Sequence, residues 1–123
     1  MTIIEAITQV DALKPNNYSP EDKVRWLSNL DGVIKKEIID THEGAEDVEF
    51  NGYDGETSQE TVLLVPAPYD DIYIKWLEAQ VDYHNGEYGK YANSMTMYNA
   101  AYTAFERYYN RNYMPISKGF KYI

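Results

Sequence analysis

Apolar side chains recur at three- and four-residue steps over most of the chain, which is the spacing of a helix face. Ile4, Ile7, Val10 and Leu13 follow Thr2 and Glu5, two residues at capping-box spacing, and together they predict a helix over residues 3–13. Pro15 stops it, and Asn16-Asn17 makes a loop. Ser19-Pro20 reads as an N-cap followed by proline at the first helical position, with Glu21 and Asp22 at the positive end. The second helix is expected over residues 20–41. Its buried stripe is Val24, Leu27, Leu30, Ile34 and Ile38, with Trp26 and Val33 beside it. Gly32 in the middle marks a slight bend or a close approach.

The pattern changes over residues 42–67. Val48-Glu49-Phe50 alternates like a short strand, Asn51-Gly52 and Asp54-Gly55 are turn dipeptides, and Thr61, Val62 and Val65 are β-branched. A small β-hairpin or an ordered loop is expected there. Helical spacing returns at Pro68, where Tyr69, Tyr73, Trp76, Gln80 and Tyr83 form one stripe and Ile74, Leu77 and Val81 a second. Apolar residues on two faces place this third helix in the middle of the packing. Asn85-Gly86 and Gly89 break it. A fourth helix over residues 87–112 carries Tyr91, Met95, Tyr98, Tyr102, Phe105 and Tyr109 at steps of four and three, a heptad-like seam. Pro115 closes it. The fold class is therefore mainly α: a single domain over residues 1–123, built as a bundle of about four helices with one long C-terminal helix. Residues 42–67 form an acidic insertion and residues 114–123 a basic tail.

Charge sharpens this picture. The 123 residues include 20 acids against 11 Lys and Arg, a net charge of −9. The imbalance is local: residues 37–71 hold eleven acids and no Lys or Arg, whereas residues 107–123 hold Arg107, Arg111, Lys118 and Lys121 and no acid. Such acidity disfavours generic binding to nucleic acid or to an anionic membrane. No apolar run approaches the length of a membrane span, and no secretory signal is expected at the N-terminus. With no cysteine, disulfides, thiolate metal sites and cysteine nucleophiles are excluded, which fits a protein made in a reducing cytoplasm.

Catalytic chemistry finds little purchase. Neither the phosphate-binding G-x-x-x-x-G-K-[ST] pattern nor G-x-G-x-x-G occurs. His42 and His84 lack metal-ligand spacing. Asp47, Glu49, Asn51 and Gly52 echo part of a calcium loop, but Ser58 stands where the bidentate glutamate belongs, so a solvated acidic turn is the better reading. Glu78 and Asp82 lie one turn apart, and an exposed charged helix face explains them with no further assumption, leaving acid–base chemistry the minority reading. The protein is expected to be no enzyme and to need no cofactor or metal. Tyrosine is the unusual residue, with 13 copies. Its ring buries well while its hydroxyl seeks a partner, so Tyr91, Tyr98, Tyr102 and Tyr109 suit either a core edge or a subunit interface.

A resemblance rests on the run Pro66-Ala67-Pro68-Tyr69-Asp70-Asp71-Ile72-Tyr73, on Trp76-Leu77-Glu78-Ala79-Gln80, on Asn85-Gly86-Glu87-Tyr88 and on Tyr98-Asn99-Ala100-Ala101-Tyr102. These resemble head–tail connector (adaptor) proteins of tailed phages and prophages of Gram-positive bacteria, most clearly over residues 66–113. The resemblance implies a non-enzymatic virion protein, made in the bacterial host cytoplasm. It implies a homo-oligomeric ring, commonly of twelve copies, between the portal and a tail or stopper protein. DNA would pass through the ring without specific binding, and no membrane is involved. The ring contacts are expected to join the acidic segment to the basic tail, with Tyr91, Tyr98, Tyr102, Tyr109, Arg107, Arg111, Lys118 and Lys121 as interface candidates. The alternative is a small phage-encoded regulator or inhibitor that binds a host protein through its acidic face. A helical hydrolase using Glu78 and Asp82 with a divalent cation is a third reading.

Overall fold

A computed structural model describes residues 1–116. Four helices form in the expected order: α1 (Ile3–Leu13), α2 (Pro20–Glu37), α3 (Asp71–His84) and α4 (Tyr88–Asn112). Thr2 and Glu5 close the capping box of α1, with Thr2 Oγ1 accepting the Glu5 amide at 3.2 Å and Glu5 Oε1 accepting the Thr2 amide at 2.8 Å. Ser19 caps α2 through the Asp22 amide at 3.1 Å, ahead of Pro20. Both helices thus begin where orphan amides find side-chain acceptors.

Helix α3 is the hub. It packs along α4 as the most extensive helix pair, and also meets α1 and α2. Its two apolar faces explain this: Ile72, Tyr73, Ile74, Leu77 and Val81 are all buried. The chain turns from α3 into α4 at Gly86, whose φ of +74° is a left-handed value that favours glycine. Its amide donates to the Tyr83 carbonyl at 3.0 Å, and the Glu87 amide to that of Asp82 at 2.9 Å, so two carbonyls of the last turn of α3 are satisfied. The stripe residues Val24, Leu27, Leu30 and Ile34 of α2 and Ile38 just past its end are buried, as is Trp26, whereas Val33 is exposed. Phe50 lies over Gly32, its ring 3.8 Å from where a Cβ would stand.

Three expectations are corrected in detail. α2 ends at Glu37, and residues 39–41 follow as a separate 3-10 turn, with a second at Ala45–Asp47. α3 starts at Asp71, three residues after Pro68. No hairpin forms: the described residues contain no strand, only isolated bridges between Thr2 and Val62 and between His42 and Pro115. Residues 48–65 instead spend their backbone groups on distant partners. Leu63 donates to the Met1 carbonyl at 2.9 Å, and the amides of Ile3 and Ile4 donate to the carbonyls of Thr61 and Gln59 at 3.0 and 2.9 Å. Leu63 and Val65 enter the core. The segment is an ordered loop pinned across the start of α1. Among the described residues no helix is long and apolar enough to cross a membrane.

Candidate functional site

The buried polar side chains come first, because they decide which charged residues are free to act. Asp31 is fully buried on α2, on the same face as Leu27, Leu30 and Ile34. Its carboxylate accepts the hydroxyls of Tyr53 and Tyr73, each at 2.6 Å, and the Leu64 amide at 3.1 Å. Burial raises its pKa above the usual aspartate range, against the opposing pull of these three donors. The same burial, with the Asp31 charge beside them, raises the Tyr53 and Tyr73 hydroxyls well above an ordinary tyrosine. The cluster ties the 48–65 loop to α2 and α3.

Asp82 corrects the exposed-face reading of the Glu78–Asp82 pair, since it is 1% exposed. Lys14, from the end of α1, donates to both of its carboxylate oxygens at 2.7 Å, and the Ser94 hydroxyl of α4 donates at 2.7 Å. Its oxygens are thereby committed to joining three helices. Glu78 lies 4.0 Å from Lys75 on its own helix. Lys23 is buried beside Asp11 at 2.8 Å, and His42 is buried between the Ile38 carbonyl and Asn110 Oδ1. Every buried side-chain nitrogen and oxygen of the described residues has a partner. Among those residues no group of three or more His, Asp or Glu side chains is placed to hold a metal ion.

The tyrosine seam of α4 turns inward. Tyr98 and Tyr109 are buried, Tyr91 and Tyr102 half-buried. Tyr98 packs on Trp76 with ring centroids 4.9 Å apart, and Tyr109 meets His42 edge-on at 4.9 Å. The Tyr102 hydroxyl donates to Glu37 at 2.9 Å, which holds α4 to the end of α2. Burial lifts Tyr98 up to about 12, with the Glu37 charge adding to it. These rings belong to the subunit's own packing. Arg107 and Arg111, by contrast, are exposed, and no carboxylate of the described residues lies within ion-pair distance of either. Lys118 and Lys121 lie outside the described residues.

The acidic segment is on the surface. Glu43, Glu46, Asp47 and Glu49 are exposed, and over residues 40–60 Asp40 is the one described acid paired with a lysine, Lys35. This surface sits beside the C-terminal end of α4: the Glu43 amide donates to the Met114 carbonyl at 2.8 Å, and the Ile116 amide to that of Thr41 at 2.8 Å. The basic tail is thus rooted against the acidic segment of its own subunit. What sequence reasoning missed was the set of buried ions. Asp31 left a signal, since it falls within the apolar stripe at four residues from Leu27; Asp82 and Lys14, far apart in sequence, left none. Comparison with family models, curated proteins and solved structures gives no match.

Proposed function

We propose that the chain is a structural subunit of a tailed-phage head–tail connector, a non-enzymatic virion protein made in the host cytoplasm. In this reading it forms a ring beneath the portal, meets a tail or stopper protein on the other side, and lets DNA through without specific contacts. One observation carries it: the residues that bear the connector resemblance, 66–113, fold as one α3–α4 hairpin, which is the most extensive helix pair of the subunit. The resemblance therefore follows a structural unit and not scattered positions. The acidic surface also suits a channel wall, because like charge limits sticking of DNA during passage. That same surface favours the second reading, a regulator that docks a basic patch of a host protein.

The test mixes the purified full chain with purified portal protein at low salt, followed by light scattering and negative-stain imaging. Rings seated on portal support the connector. A strict monomer that ignores portal overturns it, and capture of a host protein by that monomer supports the regulator.

A further inference from the structure

α4 carries a second heptad-spaced seam, opposite the aromatic one. Asn93, Met97, Ala100, Ala104, Arg107 and Arg111 step by four and three, and all six are exposed. At 100° per residue this line lies about 200° round the helix from the inward seam of Tyr91, Tyr98 and Tyr109. An exposed helix face in a chain that is 25% charged ordinarily carries charges on every turn or two, yet residues 91–105 contain none. Depletion of charge, an exposed methionine that is 54% accessible at Met97 and two arginines are features that interfaces share. The seam ends in two arginines that no described carboxylate meets.

The complementary surface is on the same molecule. Glu43, Glu46, Asp47 and Glu49 are exposed and lack a described cation partner. Their segment starts beside the C-terminal end of α4, where His42 bonds Asn110 at 2.7 Å and the Glu43 amide donates to the Met114 carbonyl at 2.8 Å. Asn110, which meets His42, is turned about 60° from Arg107 and about 100° from Arg111 round the helix, so the arginines sit to either side of that contact. Complementary patches on different parts of one subunit let identical copies join head to tail, and such contacts form a ring where the rotation closes.

We infer that the outward seam of α4 docks a second copy of this chain, with Arg107 and Arg111 receiving the acidic surface of residues 43–49. The inference rests on the ring reading above and adds the surface that makes the contact. Arginine supplies planar, multi-donor recognition of carboxylates there. The alanines at 100 and 104 let the neighbouring backbone approach closely, and the charge pairs set register and encounter rate.

Sedimentation velocity on the full chain, alone and with purified portal protein, tests it. Arg107→Glu with Arg111→Glu on one side, and Glu46→Lys with Asp47→Lys on the other, should each weaken self-association by about tenfold or more. Mixing the two reversed proteins should restore it. Ala100→Arg, midway along the seam, should also block it, and circular dichroism should show all three variants folded because every altered side chain is exposed. Unchanged association in the reversed variants, failure of the mixture to associate, or a wild-type chain that stays monomeric throughout would overturn the interface. Portal-seated rings formed equally well by the Arg107/Arg111 variant would remove this surface while leaving the connector reading intact. Charge-swapped association without any portal binding would do the reverse.

Discussion

Asp31 of α2 accepts the Tyr73 hydroxyl of α3 at 2.6 Å, and the same hydroxyl oxygen accepts the Val65 amide at 2.7 Å. One phenol therefore satisfies two buried groups from segments 34 residues apart in sequence, and it fastens the long loop to the helical hub. Tyr73→Phe keeps the ring and removes the oxygen, leaving the Val65 amide and one Asp31 oxygen without a partner. Each orphaned buried group costs about 1–3 kcal/mol. Urea denaturation should show a loss in that range or above, with the helical circular dichroism signal retained.

Asp31 also imposes a pH dependence whose sign runs against that of ordinary carboxylates. Burial raises its folded pKa, so the folded chain holds this proton more tightly than the unfolded chain, where aspartate titrates near pH ~3.9. The contribution is present below that pH and is lost as pH rises through the raised folded value. The stability difference between wild type and Asp31→Asn should therefore shrink as pH rises from about 4. Denaturation curves across that window check it, and a difference that grows with pH would contradict it.

The helices were legible because their signals are local. The capping box at Thr2 and Glu5, Ser19-Pro20, and the stripe ending at Ile38 each lie within one or two turns of the element they define. The path of residues 48–65 was not, although its alternating residues looked strand-like. Its amides bond Met1, Ser28 Oγ, Asp31 and the Tyr73 hydroxyl, partners that no short window contains. The heptad seam of α4 was equally plain in sequence, but periodicity marks a face without saying whether the core or a neighbour covers it. The structure assigns Tyr98, Phe105 and Tyr109 to the core and leaves Arg107 and Arg111 outside.

Lys14 and Asp82 form an ion pair that joins the end of α1 to α3. Asp82 is 1% exposed, and Lys14 partly so. Removing one partner of a buried pair strands the other's charge, while removing both can be nearly neutral. Lys14→Met should cost about 3 kcal/mol, at the lower edge of the buried range because the ammonium is partly solvated. Lys14→Met with Asp82→Leu should recover much of that loss. A double variant no more stable than Lys14→Met alone would assign the cost to lost lysine packing.

Alkaline titration offers an independent view of the tyrosine seam. Tyr98 is lifted up to about 12, and burial raises Tyr53, Tyr73, Tyr102 and Tyr109 as well. In the unfolded chain these phenols ionise near ~10. Stability that is intact below that value should fall as pH rises from ~10, since the unfolded state loses its protons first. Phenolate absorbance should therefore rise in two stages, the exposed tyrosines first and the buried ones together with loss of helix. Tyr98→Phe should make the alkaline loss of stability less steep.

The final prediction concerns the basic tail, of which the structure describes residues up to Ile116. Met114 and Ile116 bond Glu43 and Thr41 within the subunit, so the first part belongs to the fold. Lys118 and Lys121 follow it, and the connector reading gives them to ring contacts. Truncation after Ile116 removes both lysines and keeps the two backbone bonds; truncation after Tyr113 removes both lysines and both bonds. If the lysines serve assembly, the shorter deletion should leave the melting temperature unchanged while weakening the ring, and only the longer one should lower both. Exposed charge pairs are screened within about 10 Å at 0.1 M salt, so added salt should loosen the wild-type ring more than that of the shorter deletion. A shorter deletion that melts earlier yet assembles normally would place the lysines on the acidic segment of their own subunit. Light scattering across a salt series, paired with thermal melts of the same samples, separates the two outcomes.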